Sequence, residues 1–339
     1  MAVNDINRNQ LIPGVYITLI QKDSYPDSDA KEQNSVTSAV YSSVTLMQNG
    51  VIGVIGDVSS SWTSLSALMS STLQIPQCSF ASKTIALSDK TQYKYFFRTI
   101  PTQVIFADPM LSFAALQGWS KIGIIYSDSA LGQQFFQRAL IQASSQGLEI
   151  VQSHSFDPAI DVDDMTYALQ NVTQGDTRVI IVAATDDTQT SLMLQAASLG
   201  YMTNDYTWLL LGVSDTRLQQ DVLKYNHNHS SSTPLDYNST YNGLFMFDSW
   251  LSLNGYAPFD AFLQQWASLD PNTLAYSCMM VMANGFRQTL STQKDQSTGL
   301  KLLATGELGE TMLPPAFNVG YVGPNGPMIY DSNGDLSIG

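Results

Sequence analysis

The sequence predicts an α/β chain of repeated βα units that build parallel sheets in two lobes. Three observations predict it. Short apolar runs recur without alternation, as expected of strands covered on both faces. Helical stretches of about ten to sixteen residues separate most of these runs. A fresh series of βα units opens at Trp119, Ser120 and Lys121, after the stretch 102–118, and marks a second lobe.

Taken in order, the strand candidates are 15–20, 51–55, 77–81, 121–126, 179–184, 207–211 and 244–248. In an open parallel sheet, ligands bind beyond the carboxyl ends of the strands. The turns that follow are all polar. After 51–55 come Asp57, Val58 and the serines Ser59, Ser60 and Ser61; after 77–81 come Ser82, Lys83 and Thr84. The later turns carry Ser127, Asp128 and Ser129, then Asp186 and Asp187, then Val213, Ser214 and Asp215. The triple serine is the most informative feature. It precedes an expected helix from Trp62 to about Leu73, whose first N–H groups and positive dipole end suit a carboxylate or another anion. The other reading is helix capping, which serine performs routinely. No histidine lies nearby and the Gly-x-Ser-x-Gly elbow is absent, so these serines are not read as nucleophiles.

The chain has 339 residues and a net charge of -14, with 44% apolar and 13% charged residues. That charge argues against nucleic acid and against an anionic membrane surface as partners. No apolar run approaches the roughly 18 residues of a membrane span. Residues 1–10 lack the parts of a signal peptide. Cys78 and Cys278 are too few for a disulfide framework, which favours two buried free thiols over a single bridge. Asn171, Asn228 and Asn238 open Asn-x-Ser/Thr sequons and are glycosylation candidates in a secreted chain. The polar stretch 226–242, with His227 and His229, reads as a solvated loop; two histidines alone make no metal site. The acidic residues Asp157, Asp161, Asp163 and Asp164 read as caps for a helix beginning near Met165. Asp331 to Asp335 reads as a turn before a strand rather than a calcium loop.

Several runs resemble one known family. In the first lobe these are Ile-Gly-Asp-Val-Ser-Ser-Ser-Trp (55–62), Ile-Pro-Gln (75–77), Ala-Leu-Ser-Asp-Lys-Thr (86–91) and Tyr-Phe-Phe-Arg-Thr-Ile-Pro (95–101). In the second they are residues 118–132, from Gly-Trp-Ser-Lys to Ser-Ala-Leu-Gly, and 317–336, which contains Tyr-Asp-Ser-Asn-Gly-Asp-Leu. Leu-Ala-Tyr-Ser (274–277) is similar to the helix by which the chain returns to the first lobe. Together they resemble the ligand-binding domain shared by metabotropic glutamate and GABA receptors, natriuretic peptide receptors and leucine-binding proteins. Tyr-Thr-Trp-Leu-Leu-Leu-Gly (206–212) leans toward the GABA-type branch.

The resemblance implies a two-lobed type-I periplasmic-binding-protein fold of the Venus-flytrap kind, with three crossovers near Pro101, Leu253 and Phe317. Lobe 1 would be 1–100 plus 253–317, and lobe 2 would be 101–252 plus 318–339. Residues 2–7 are similar to the end of the family's first helix, so the family's preceding strand is expected to be missing from this sequence. The resemblance also implies ligand contacts for Ser60 and Ser61, which match serines that hold an amino acid's carboxylate, and for Ser82, Lys83 and Thr84. Lys83 stands where the amino-acid receptors carry Ser or Thr, and would favour an anionic group or else point to solvent. Asp186 matches the position that closes over the ligand. It or Asp187 would hold an ammonium or cap the helix, Asp128 would contribute from the second lobe, and Val213 replaces an aromatic of the GABA branch.

The expected function is an extracellular, non-enzymatic binding domain of a class C-like receptor. It would take a small polar ligand, amino-acid-like or anionic, and signal by lobe closure. No cofactor is implied, and membrane attachment would come only through a segment outside this sequence. A transporter's solute-binding protein and a ligand-free scaffold dimerising through lobe 1, around residues 64–73, are the alternatives. An enzyme is disfavoured by three histidines, none in a polar turn, and by the absence of phosphate or dinucleotide loops.

Overall fold

A computed structural model describes residues 1–23, 32–57, 59–157, 162–212, 215–228, 234–248, 253–266 and 273–338. The chain divides into two units, Met1–Thr102 with Leu251–Gly339, and Gln103–Trp250. Each is α/β, with a parallel sheet flanked by helices, as the two-lobed type-I periplasmic-binding-protein fold requires.

The first unit opens with α1 (Ala2–Arg8) and α2 (Glu32–Gln48). A three-stranded parallel sheet follows, β1 (Val54–Ile55), β2 (Gln77–Ser79) and β3 (Phe96–Arg98), with α3 (Ser60–Thr72) between the first two strands. The second unit runs α4 (Ala107–Leu116), β4 (Lys121–Ser127), α5 (Ala130–Ser145), β5 (Glu149–Phe156), α6 (Val162–Thr173), β6 (Val179–Ala183), α7 (Asp186–Ser198), β7 (Thr207–Leu211), α8 (Asp215–Asn228), α9 (Tyr237–Thr240) and β8 (Leu244–Phe247). Its five strands are all parallel, in the order β5-β4-β6-β7-β8. The chain then completes the first unit with α10 (Ala257–Gln265), α11 (Thr273–Ser291), α12 (Gln296–Ala304) and four short strands. These are β9 (Val322–Gly323), β10 (Gly326–Pro327), β11 (Ile329–Tyr330) and β12 (Leu336–Ile338).

Burial explains the strand pattern. All five residues of β6 are buried, and its neighbours β4 and β7 are nearly so, which is why they read as unbroken apolar runs. Ile125, Ile180, Val182, Trp208 and Leu210 pack there against Leu169, Leu192 and Met193 from the flanking helices. The first unit's core gathers Phe97, Val281, Met282, Phe286, Phe317 and Tyr330. The Phe97 and Phe317 rings stack with centroids 4.7 Å apart.

Four sequence expectations need correction. Residues 15–20 join no sheet among the described residues, because no described strand lies beside them. Cys78 and Cys278 are not free thiols: they form a fully buried disulfide that ties β2 to α11 across a sequence separation of 200. Residues 318–339 fall in the first unit, where Met328, Tyr330 and Leu336 enter the Phe97 and Phe317 core. The stretch 226–242 is only partly loop, since α8 runs to Asn228 and α9 occupies Tyr237–Thr240; His229 lies outside the described residues.

Candidate functional site

The carboxyl ends of β1 and β2 carry two knitted turns. Ser59 is the N-cap residue of α3, with extended backbone and no side-chain capping bond. Its hydroxyl pairs instead with that of Ser61 at 2.9 Å. Ser60 and Ser61 are thus first-turn residues rather than caps, and Ser61 is exposed. The first N–H to enter the helix ladder is that of Thr63, which donates to the Ser59 carbonyl at 2.9 Å. The N–H groups of Ser60 and Ser61 precede it and carry the positive end of the helix dipole.

Thr63 holds this turn in shape. Its hydroxyl donates to the carbonyls of Ser59 (2.8 Å) and Asp57 (3.1 Å), and accepts from the Asp57 N–H. Ser82, fully buried, donates its hydroxyl to Thr63 Oγ1, so it binds the two turns to each other. Its N–H donates to Ser79 Oγ at 3.1 Å. Half-buried Lys83 and Thr84 follow on the same turn. Arg98, at the end of β3, fixes that turn from below: its guanidinium donates to the carbonyls of Ser82 and Thr84, both at 2.8 Å. Gln77 donates to the Gly56 carbonyl at 2.8 Å and to Ser66 on α3 at 2.7 Å, anchoring the end of β1 to the helix. The structure therefore brings Ser60, Ser61, Ser82, Lys83 and Thr84 to one sheet edge, but spends the Ser82 hydroxyl internally.

In the second unit the strand order places β4 between β5 and β6, so successive connections leave β4 in opposite directions. The crevice at such a switch point is where open α/β sheets bind ligands. The Ser127-to-Ser129 turn and the turn opening α7 flank it. Ser129 caps α5 by accepting from the Gly132 N–H, and its hydroxyl pairs with Ser127 at 2.7 Å. Asp128 is exposed between them, its N–H bonded to the Phe156 carbonyl at 2.8 Å. Asp186 and Asp187 are the exposed first residues of α7, and Thr185, not either aspartate, holds the N-cap position. Asp187 pairs with Arg217 on α8. Gln189, fully buried, ties the ends of β6 and β7 by donating to the carbonyls of Ala184 (2.9 Å) and Leu211 (2.6 Å) and accepting from the Leu211 N–H. Val213 and Ser214 lie outside the described residues.

Sequence reading missed Thr63, Gln77, Arg98 and Gln189, which shape the turns without standing in them. The available signal was a polar residue on an otherwise core-facing position. Of the other candidates, Asn171 sits within α6 and donates its amide to the Tyr167 carbonyl, whereas Asn228 and Asn238 are exposed. Asp164 accepts from the Asp157 N–H at 2.6 Å beside a helix that starts at Val162, three residues earlier than expected; Asp161 is outside the described residues. Asp331 accepts from the N–H groups of Asn333 and Asp335, a turn leading into β12.

Two parallel-sheet units with polar turns at their strand ends define a ligand-binding class of protein. Residues 1–338 match the receptor family ligand binding region, and the chain belongs to that family, a receptor family rather than an enzyme family. It is similar to glutamate receptor 3.1 of Oryza sativa subsp. japonica (22% identity, 99% of this chain and 37% of the relative). It is similar to glutamate receptor 3.4 of Arabidopsis thaliana (22%, 98% and 35%). A shorter match, 24% identical over 51% of this chain and 22% of the relative, is to metabotropic glutamate receptor-like protein E of Dictyostelium discoideum. The chain thus spans just over a third of the length of the two plant receptors. No helix among the described residues is long and apolar enough to cross a membrane.

Proposed function

We propose that this chain is the extracellular sensor region of a receptor and binds a small polar molecule bearing a carboxylate or similar anionic group. The observation that carries the reading is the joining of the α3 start to the Ser82-to-Thr84 turn through Thr63 and Ser82. It holds helix-end N–H groups, the Ser61 hydroxyl and the Lys83 turn at one strand edge. In this reading Ser60, Ser61, Lys83 and Thr84 take the anionic end, and Asp128, Asp186 or Asp187 of the second unit take an ammonium. Closure of the second unit over the ligand is the signal, since contacts made only in the closed state favour that state. The buried disulfide supports an oxidising, extracellular setting, and exposed Asn228 and Asn238 would accept glycans there.

A ligand-free scaffold is the second reading. It is favoured by the exposed apolar side chains of Leu65, Leu68 and Leu73 along and just beyond α3, a surface for dimerisation through the first unit. A thermal-shift screen of the full chain against amino acids, small carboxylates and nucleobases separates the two. A ligand at a hundred times its dissociation constant stabilises by about 2.7 kcal/mol. Loss of that shift in Ser61→Ala and Lys83→Ala, with unchanged unliganded stability, supports the sensor. A cooperative transition that no compound moves favours the scaffold.

A further inference from the structure

β1 pairs on one side only, with β2. In that ladder the N–H groups of Val54 and Gly56 donate to Pro76 and Cys78. Main-chain groups alternate sides along a strand, so those of Gly53 and Ile55 point to the open edge. Along that edge lies a cavity of about 420 Å3, whose other wall is residues 15–20. Asn7 bonds the main chain of Ile17 on that wall, but no main-chain hydrogen bond joins Thr18, Leu19 or Ile20 to a strand among the described residues. The remaining lining is apolar, with Leu46 from α2, Met282 and Phe286 from α11, and Leu303 from α12. A second cavity, of about 650 Å3, shares Leu19, Ile20, Leu46 and Ile55 with the first and extends the groove toward Trp266.

We propose that this groove takes an extended apolar peptide strand, which pairs with β1 through the main chain of Gly53 and Ile55. A lipid tail would satisfy the apolar lining but leave those peptide groups buried without partners, at a cost of several kcal/mol each. A helix has its own main chain already occupied. An extended peptide supplies both main-chain partners and side chains for the two covered faces. The edge 51–55 accommodates about 16 Å of strand at 3.3 Å per residue. The fitting sequence is uncharged, β-branched and free of proline. β6, Val-Ile-Ile-Val-Ala with all five residues buried, is this protein's own example of a strand so covered.

The test uses the full chain and the synthetic peptide Lys-Lys-Val-Ile-Ile-Val-Ala-Lys-Lys, capped at both ends. Saturable binding, a raised unfolding temperature and slowed amide exchange at Gly53 and Ile55 are expected. The same peptide with proline for its central isoleucine keeps the charge but lacks the N–H, and should produce none of these. Leu19→Lys, on a wall residue that is 54% exposed and so spares folding, should weaken binding about tenfold by removing apolar contact. Equal binding of both peptides would overturn the proposal in favour of non-specific adhesion to an acidic chain. So would binding without slowed exchange at Gly53 and Ile55. A concentration-dependent dimer that protects those amides without peptide would assign the groove to a second copy instead.

Discussion

Arg98 and Asp335 meet at 2.7 Å although 237 residues separate them in sequence. The arginine side chain is fully buried and the aspartate 10% exposed. Burial pulls the guanidinium's pKa down, and the Asp335 charge and hydrogen bond oppose that pull. Ser88 closes the cluster, donating to the second Asp335 oxygen and accepting from Arg98. Because the same guanidinium holds the Ser82 and Thr84 carbonyls, the closing segment of the chain supports the candidate ligand turn.

Asp335→Ala should therefore be costly. It leaves a buried cation without its partner, a change that typically costs about 3–5 kcal/mol. Chemical denaturation of wild type and variant measures the loss directly. A loss below about 1 kcal/mol would put the pair in the class of exposed surface bridges and contradict its burial.

The disulfide makes a second prediction. Cys78 and Cys278 are both fully buried, so thiol reagents should find no free thiol in the unfolded, unreduced chain. Cys278→Ser should cost about 2–5 kcal/mol, since the bridge closes a long loop and its loss leaves a polar atom in the core. Equal unfolding midpoints with and without reductant would show that α11 holds to the sheet without it.

Two serines of the candidate site should behave oppositely. Ser82 is buried and its hydroxyl joins the turns through Thr63, so Ser82→Ala should lose about 1–3 kcal/mol of stability. Ser61 is exposed and its hydroxyl meets only Ser59, so Ser61→Ala should stay within about 0.5 kcal/mol of wild type. Parallel urea titrations decide this. A large loss in Ser61→Ala would mark it as a structural residue.

The fold class was legible because β4, β6 and β7 are covered on both faces and leave unbroken apolar runs. β5 was not, since it is an edge strand whose interior residues are all half-buried and whose sequence, Glu-Ile-Val-Gln-Ser-His-Ser-Phe, mixes polar and apolar positions. β3 escaped as a strand because only Phe96, Phe97 and Arg98 pair. At the site, the polar turns could be read from their place after apolar runs. The Arg98-to-Asp335 contact could not, because nothing local in either residue specifies a partner so distant in the chain. The disulfide was obscure for the same reason.

Gly132 sits in the first turn of α5, pressed against the end of β4. A Cβ there would lie 2.1 Å from the Ser127 carbonyl oxygen and 2.7 Å from its nitrogen. Both are main-chain atoms of a central strand and cannot step aside. Gly132→Ala should thus cost at least the 1–3 kcal/mol of ordinary overpacking and displace the turn that presents Asp128. A crystal structure or the amide chemical shifts of residues 127–132 would reveal the displacement. Unchanged shifts and stability would mean the helix start has more room than its backbone contacts indicate.

Lys90 provides a prediction in pH. Its ammonium donates to the carbonyls of Leu87 (3.3 Å), Tyr93 (3.3 Å) and Phe96 (2.8 Å), and lies 5.4 Å from the centre of the Phe96 ring. Burial lowers its pKa from 10.5 to about 8, with the Asp335 charge opposing. Between those values the unfolded chain holds a proton that the folded chain has released, so this group's contribution to stability rises with pH across that window. Below about pH 8 both states are charged and the contribution is a constant cost. Other lysines and tyrosines titrate in the same range, so the informative quantity is the difference between wild type and Lys90→Met. That difference should climb in favour of wild type by up to about 3 kcal/mol as the pH passes through the window. A flat difference would mean that the three carbonyls and Asp335 compensate the buried charge in full, leaving Lys90 protonated in the folded protein as readily as in the unfolded chain.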